Sequence, residues 1–567
     1  MMGSLNSYHK RRTAVVVIVI NIAFLILIGR LFHVQILQNK KLSEEAKKIQ
    51  KMKISSTTER GRIYDRNRRE LAINVKTYTL YIRPKKVEDH ENVSEQLGRI
   101  LLESPEHILK QIQSRKRLFT LSRKLSSEAY KKISALGLNG VQLCPESARF
   151  YPKGTLGSHV IGFISSDNKG LEGIERFFEH ELGGKTSYYI TSKDARGREV
   201  IPFRSHISSL PDGANIVLTI DEIIQHILER ELNRLVEKFS PKSVTGLVMN
   251  PNTGEILAMA NRPTYNPNDA GNFSPDCRRN RAVTDAYEPG STFKVITAAA
   301  ALNNKVFVPE DIIFAENGSY RFMRHTIHDH EPYGKITFTQ ALEVSSNIAF
   351  AKIGIKIGAE ELYKYIRSFG FGARTGINLP GEAKGLLRSL SRWSKLSVGV
   401  IPFGQEMSVT PLQLITAVSA VANGGNLMVP MIVSSIEDKE GKIKKEFKPE
   451  LVRRLVSNQT SEILTEILTG VVKTGTGINA QIKGYTIAGK TGTAQKYISG
   501  KGYSNKKYVA SFIGYLPIPN PQVAILIMVN EPQGEYYGSI VSAPAFKNVA
   551  RDVLRYLNVF PDQGEEH

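Results

Sequence analysis

The chain reads as a multidomain α+β protein: one N-terminal transmembrane helix, a β-rich middle region, and a C-terminal domain of antiparallel sheet covered by helices. Three observations carry that reading. A single unbroken aliphatic run opens the chain, pairs of strand-like segments bracket residues 240 to 555, and amphipathic helical segments fill the space between those pairs. The length agrees, because 567 residues exceed what one compact core usually holds.

Hydrophobic residues make up 41% of the chain and charged residues 23%, which excludes a wholly disordered protein. Two cysteines exclude a disulfide framework and a four-thiolate zinc site. The balance of 76 Lys+Arg against 54 Asp+Glu, net +22, raises the question of nucleic-acid binding. The N-terminus answers it. Between Thr13 and Gly29 the run TAVVVIVINIAFLILIG carries no charge, and Leu31, Phe32, Val34, Ile36 and Leu37 extend it, giving a transmembrane segment over 13–37. Lys10, Arg11 and Arg12 precede the run, so residues 1–12 are expected to stay in the cytoplasm. Arg30 and His33 follow where a signal peptide would carry small residues, so an uncleaved signal anchor is expected. The rest of the chain then lies outside the cytoplasmic membrane, away from the chromosome, and no nucleic-acid partner is expected.

Residues 38–53 are Lys-rich with a helical period and read as a stalk. From 54 to about 210 short strands alternate with Gly and Pro; TYTLYIRP (77–84) and SYYITS (187–192) are strand-like, and 92–135 reads as two or three basic helices. A turn at Pro211-Asp212-Gly213 leads into the strand NIVLTI (215–220), and Asp221 is placed to cap a helix whose apolar face includes Ile224, Ile227, Leu228, Leu232 and Leu235; together 211–242 reads as a linker strand and helix. Residues 243–557 form the last domain, with 558–567 a tail. Within it TGLVMN (245–250) and EILAMA (255–260) read as a hairpin, VASFIGYLP (509–517) and QVAILIMVN (522–530) as a second antiparallel pair, and about 544–557 as a closing amphipathic helix.

The chemistry centres on YEPGSTFKVITAAAALNN. Pro289-Gly290 precedes an apolar helix, with Ser291 in its first turn and Lys294 three residues later on the same face. A serine hydroxyl needs a base, and lysine serves only when neutral; burial, the positive helix end and a second cation all push its pKa down. Ser345-Ser346-Asn347 follows in a turn between helical segments, and Lys490-Thr491-Gly492-Thr493 ends the strand-like GYTIAG, where Gly489 and Gly492 would leave an edge strand bare for a substrate backbone. Look-alikes occur: Ser7/Lys10 in the N-terminal tail, Ser504/Lys507 in a Gly/Lys loop, Ser166-Asp167-Asn168 in another domain, and Lys473-Thr474-Gly475-Thr476 as the stop of the helix 461–472. Their settings lack the ordered partners.

Ser291-Thr292-Phe293-Lys294, Ser345-Ser346-Asn347 and Lys490-Thr491-Gly492 together resemble the S-x-x-K, S-x-N and K-T-G series of penicillin-binding proteins. The chain as a whole is similar to the class B, monofunctional high-molecular-mass members. Glu59-Arg60-Gly61-Arg62-Ile63-Tyr64-Asp65-Arg66-Asn67 resembles the entry signature of their pedestal (dimerisation-type) domain, and Arg149-Phe150-Tyr151-Pro152, His159-Val160-Ile161-Gly162 and Gly170-Leu171-Glu172-Gly173-Ile174-Glu175 resemble its later signatures. Arg68 departs from the pattern, where the family usually has Gly, and puts the tightness of that turn in question.

The resemblance implies peptidoglycan D,D-transpeptidation. Ser291 would attack the penultimate D-Ala carbonyl of a stem peptide with Lys294 as general base. Ser345 would relay a proton to the leaving D-Ala, Asn347 would hold the substrate amide, and Lys490 would orient Ser345. Thr491, Gly492 and Thr493 would bind the substrate end, and the N–H groups of Ser291 and Thr493 would form the oxyanion hole. β-Lactams would acylate Ser291. No metal and no cofactor is implied; expected partners are stem peptides, a membrane glycosyltransferase and division-complex proteins. Tyr287-Glu288-Pro289-Gly290 and Phe403-Gly404-Gln405 look more like the division type than the elongation type.

Rival readings find weaker support. The first rival is hydrolysis, by a serine β-lactamase or a D,D-carboxypeptidase; a class A β-lactamase needs an E-x-x-L-N string after S-x-N, and the string here, Glu229 to Asn233, precedes Ser291. A bifunctional glycosyltransferase would need its own domain where the pedestal signatures stand. A sensor or scaffold role fits poorly with a complete motif set. His325, His328 and His330 could form a zinc cluster but read as surface histidines, and Cys144 and Cys277 as unpaired thiols. The positive charge then reads as a solvated surface beside an anionic envelope.

Overall fold

A computed structural model describes residues 3–42, 51–57, 59–184, 186–193, 199–200, 212–498, 500 and 502–562. The helix Gly3–Phe32 continues through a π turn, His33–Leu37. The stretch Arg12–Leu37 is long and apolar enough to cross a membrane, with mean hydropathy 2.8. The helical stalk expected over 38–53 is corrected at its end: Lys51–Thr57 is a strand, antiparallel to Thr186–Lys193, whose other edge holds Glu199–Val200. Residues 43–50 of that stalk, Pro211 of the expected turn, and 563–567 of the tail lie outside the described residues. The strands above, with the N-terminal helix, form one compact unit; residues 59–183 and 212–567 form the other.

In the larger unit the segment read as a linker is instead the joint of a sheet. Asn215–Leu218 lies between Ile63–Tyr64, to which it is parallel, and Val433–Glu437, to which it is antiparallel. The strand is paired at both edges and packed on both faces, so all four of its residues are buried. Beyond Ile63–Tyr64 the sheet continues into the long strand Glu70–Ile82, which pairs with both Phe119–Leu125 and Val141–Phe150. The expected basic helices occupy His90–Leu101, Pro105–Ser114 and Ser127–Ala135; the strand Phe119–Leu125 among them was not expected, because RLFTLSRKL is short and basic, breaks strict alternation at Leu118-Phe119 and Arg123-Lys124, and lies between two helical stretches.

The pedestal signatures converge on one buried charge. Glu175 accepts from Arg60 Nε at 2.6 Å and from Arg149 Nε at 2.7 Å, with all three side chains essentially inaccessible. Burial alone would raise the Glu175 pKa; the two guanidiniums reverse that and hold it below the usual carboxylate value. Arg60 also donates to Glu179 at 2.7 Å, and Arg149 to the carbonyl of Gly61 at 2.7 Å. Segments more than a hundred residues apart are thereby tied at a point where losing any partner would strand a charge.

Arg68 resolves the departure from the family pattern. Its φ is +64°, the left-handed conformation that glycine would take without strain, so the turn is as tight as the pattern requires. Asp65 Oδ1 accepts the backbone N–H groups of Asn67 and Arg69, each at 2.8 Å. The Arg68 guanidinium pairs with both oxygens of the buried Glu437, the second contact at 2.7 Å. An ion pair to another strand offsets the backbone strain, of order 1 kcal/mol.

The last domain is built on a five-stranded antiparallel sheet in the order Ile256–Arg262, Ser243–Met249, Val523–Asn530, Gly502–Leu516, Ala488–Ile498. Both expected hairpins are present. Along Val523–Asn530, Val523, Ile525, Ile527 and Val529 join one hydrophobic cluster while Ala524 and Leu526 join another. Alternate side chains thus feed two helical layers, which explains the continuous aliphatic run. One layer contains Glu222–Phe239, capped as expected by Asp221, whose Oδ1 accepts Ile223 N–H at 2.9 Å, and Ala543–Tyr556. The other contains Lys294–Asn303, Pro411–Ala422 and Asn458–Lys473. Ala488–Ile498 is the edge of this sheet.

Candidate active site

Ser291 lies in a 3₁₀ turn, Gly290–Phe293, and Lys294 is the first residue of the α-helix that follows. In that tighter turn residues three apart eclipse, so both side chains still share a face. The turn is wedged tightly. Gly290 has φ +56°, and a Cβ there would meet the Cβ of Ala494 at 3.0 Å; a Cβ on Gly404 would meet the carbonyl oxygen of Gly290 at 2.3 Å. Pro-Gly before the serine and Phe-Gly-Gln in the loop opposite are therefore one packing device.

Ser345 sits between the helices Phe338–Glu343 and Asn347–Ile357 with φ +62°. A capping box between Thr337 and Gln340 starts the first helix, and Ser346 caps the second by accepting from Ala349 N–H at 3.0 Å. Asp329 completes that cap: its carboxylate accepts from Ser346 Oγ at 2.5 Å and from the N–H groups of Asn347 and Ile348 at 2.5 and 3.0 Å. Asn347 Nδ2 donates to the His328 carbonyl at 3.0 Å, and its Oδ1 accepts from Lys294 Nζ at 2.8 Å.

Both lysines are fully buried. Lys490 Nζ reaches Ser345 Oγ at 2.9 Å, and Lys294 Nζ reaches the same oxygen at 3.2 Å while donating to the Ser345 carbonyl. Desolvation, then the charge of Lys490, pushes the Lys294 pKa well below the ordinary lysine value, against an upward pull from Asp329. Desolvation alone lowers Lys490 to about 7. A neutral Lys294 amine has two N–H bonds, which the Ser345 carbonyl and Asn347 Oδ1 can accept, and a lone pair left for a hydroxyl proton.

The third motif is corrected in detail. Lys490 does not end a strand; it is the third residue of the edge strand Ala488–Ile498. The strand is the sheet's edge, as expected, and its glycines also serve packing: a Cβ on Gly492 would strike Ser511 Oγ at 2.4 Å and the Thr292 methyl at 2.8 Å, and one on Gly489 would strike Phe512 at 2.7 Å. Glycine lets the strand press against the serine turn. Thr491 Oγ1 lies 2.9 Å from Thr476 Oγ1, and Thr493 Oγ1 accepts Gly538 N–H at 3.0 Å. The look-alike ending in Thr476 is thus more than a helix stop, since its threonine joins the motif it resembles. The look-alike Ser504/Lys507 lies on the strand Gly502–Leu516 rather than in a loop.

A cavity of about 690 Å³ lies over these residues, and Ser291, Ser345, Asn347, Thr491 and Thr493 all line it. Sequence reasoning missed several of its walls. Tyr508 and Tyr536 stack at 4.2 Å, Tyr536 packs on Tyr537 at 4.4 Å, and His330 meets Tyr537 edge-on at 5.4 Å. The histidine segment is a hairpin strand plus loop, His325–His328 and onward, and forms cavity wall; among the described residues no cluster suited to a metal ion is found. Glu229 and Asn233 are structural: both bind Arg262, at 3.1 and 2.6 Å. Cys144 and Cys277 are not joined in a disulfide.

Residues 244–551 match the model of the penicillin-binding protein transpeptidase domain, and residues 55–218 that of the penicillin-binding protein dimerisation domain. The chain belongs to the class B penicillin-binding protein transpeptidases. It is 37% identical to stage V sporulation protein D of Bacillus subtilis (strain 168), covering 96% of this chain and 85% of that one. It is 34% identical to peptidoglycan D,D-transpeptidase FtsI of Escherichia coli (strain K12), covering 95% and 91%. The crystal structure of penicillin-binding protein 3 from Mycobacterium tuberculosis complexed with aztreonam superposes with a TM-score of 0.70 at 27% identity, covering 90% of this penicillin-binding protein and 98% of that chain. The chain is accordingly a serine-type transpeptidase that takes stem peptides and β-lactams.

Proposed function

We propose that this transpeptidase cross-links peptidoglycan through a Ser291 acyl-enzyme, and that it does so outside the cytoplasmic membrane, tethered by the helix over 13–37 and raised on a pedestal over 54–210. The observation that carries the reading is the hydroxyl of Ser345 shared by two buried lysines beside the Ser291 turn. Neutral Lys294 takes the Ser291 proton as Oγ attacks the D-Ala carbonyl. The N–H groups of Ser291 and Thr493 receive the oxyanion. Ser345, held by Lys490, passes a proton to the departing D-Ala nitrogen, and Asn347 and Thr491 orient the peptide. An amine of a second strand then displaces Ser291 and closes the cross-link. A membrane glycosyltransferase and division-complex proteins are the partners we infer.

The test is covalent labelling. The full-length protein in detergent is incubated with a fluorescent penicillin and its intact mass measured; one adduct is expected, and none on Ser291→Ala. Labelling of the alanine variant would overturn the assignment.

The division role is our reading from Tyr287-Glu288-Pro289-Gly290 and the Phe403-Gly404-Gln405 loop. Identity to stage V sporulation protein D favours a second reading, a transpeptidase of sporulation. Depletion separates them: filamentous growing cells support division, normal growth with defective spores supports sporulation, and rounding points to elongation.

A further inference from the structure

We infer that Glu288 receives the ammonium group of the acceptor strand and takes its proton before the amine attacks the Ser291 acyl-enzyme. The inference rests on the transpeptidase reading above and concerns only its second half. Glu288 stands three residues before Ser291 and lines the active-site cavity. It also lines a second cleft of about 490 Å³, and the two spaces share Glu288, Ala494 and Gln495. A chain entering along the second cleft therefore meets the Glu288 carboxyl on its way to Ser291. That cleft carries charges of both signs, among them Lys242, Arg279 and Lys496 with Asp276 and Asp285, as suits a zwitterionic peptide.

The carboxyl itself is unusual. Its Oε1 accepts from Tyr503 Oη at 3.2 Å and from the Glu406 N–H at 3.1 Å, whereas Oε2 is buried with no hydrogen-bond partner. The charged or titratable groups around it are Tyr503 from the strand Gly502–Leu516 and Glu406 from the loop opposite. Glu406 is itself engaged by Arg388 and Ser397 and has φ +59°. Other buried carboxylates have their oxygens engaged: Glu229 by Arg262, Glu437 by Arg68, and Asp65 and Asp221 by backbone N–H groups. Oε2 of Glu288 has neither a cation nor an N–H or O–H donor, which a carboxylate kept for structure alone would need to offset its burial. Burial, the largest influence, raises Glu288 to about 7; the Tyr503 and Glu406 hydrogen bonds oppose this and the Glu406 charge adds to it. A base titrating there can take a proton at neutral pH and release it to water.

The protons balance. The acceptor ammonium gives one proton to Glu288, leaving a neutral amine. The amine nitrogen bonds to the acyl carbon, the carbon–Ser291 Oγ bond breaks, and the second nitrogen proton passes through Lys294 to Oγ. Glu288 then loses its proton to solvent. Amide, free serine and both bases are restored.

The experiment measures partition of the acyl-enzyme between amine and water. Full-length protein in detergent is given a D-alanyl thioester donor and D-alanine as acceptor, and transfer and hydrolysis products are counted. Glu288→Gln should lower the transfer-to-hydrolysis ratio at least about tenfold. In the wild type the ratio should rise through a pH of about 7, and in the variant that rise should vanish. Penicillin labelling of both proteins reports the fold and the first half-reaction separately. A labelled variant whose ratio stays within about twofold of wild type overturns the inference. So does a wild-type ratio with no inflection near that pH, which decides the matter even if the variant fails to fold. Loss of labelling in the wild type would instead sink the Ser291 reading.

Discussion

Lys294 and Lys490 meet at one atom, the hydroxyl oxygen of Ser345, at 3.2 and 2.9 Å. Neither lysine touches solvent, so two ammonium groups there would repel at low dielectric with no water to screen them. At least one must be neutral for the arrangement to persist. This is the physical content behind a lysine acting as a base.

Acylation should therefore be insensitive to pH across the usual lysine range. The base works unprotonated, and both lysines are depressed, Lys490 to about 7. The rate of penicillin acylation should stay level from about pH 8 to 10 and fall only at lower pH. Stopped-flow acylation across that range checks it, and an inflection near the ordinary lysine value of about 10.4 would contradict it. Lys294→Arg should be inactive at every pH, because a guanidinium stays charged.

Ser345 combines a hydroxyl with a left-handed backbone. Ser345→Gly and Ser345→Ala both remove the oxygen that the lysines share, and both should slow acylation by roughly 10² or more. Their stabilities should differ. Glycine adopts that φ freely and alanine does not, so the glycine variant should be more stable by about 1 kcal/mol in urea unfolding. Equal stabilities would show that the turn relaxes.

Lys490 and Lys473 head identical K-T-G-T strings, yet only Lys490 is buried against Ser345. Lys490→Ala should reduce acylation by roughly 10² or more, while Lys473→Ala should stay within about twofold of wild type. Thr476→Val should have an intermediate effect on substrate turnover, through the 2.9 Å contact with Thr491. Comparable losses in the two lysine variants would remove the assignment of the third motif.

Arg68→Gly offers glycine the backbone it prefers and removes the partner of a buried carboxylate. The strain relieved is of order 1 kcal/mol, whereas stranding Glu437 costs about 3 kcal/mol or more. The variant should be destabilised by about 2 kcal/mol, and Arg68→Gly with Glu437→Gln should recover most of that. Chemical unfolding of the three proteins tests the balance; a stabilised single variant would mean the ion pair contributes nothing.

Local order in the chain was enough for much of this molecule. The aliphatic run marks a membrane-length helix, period-two and period-3.6 patterns mark the five-stranded sheet and its helices, and the spacing of Ser291 and Lys294 on one turn already implies a shared face. What local order does not carry is contact between distant segments. Asp329 caps the helix behind Ser345, Thr476 bonds to Thr491, and Glu175 gathers Arg60 and Arg149, each across 15 to 115 residues of chain. Gly492 shows the difference most clearly: the sequence suggests an edge strand, which it is, but only in space is it also where that strand presses against the serine turn. Propensity and periodicity are properties of neighbours along the backbone, so they determine the elements and the motif residues. Burial, the sharing of one hydroxyl by two lysines, and the basicity that follows exist only once the chain has closed water out.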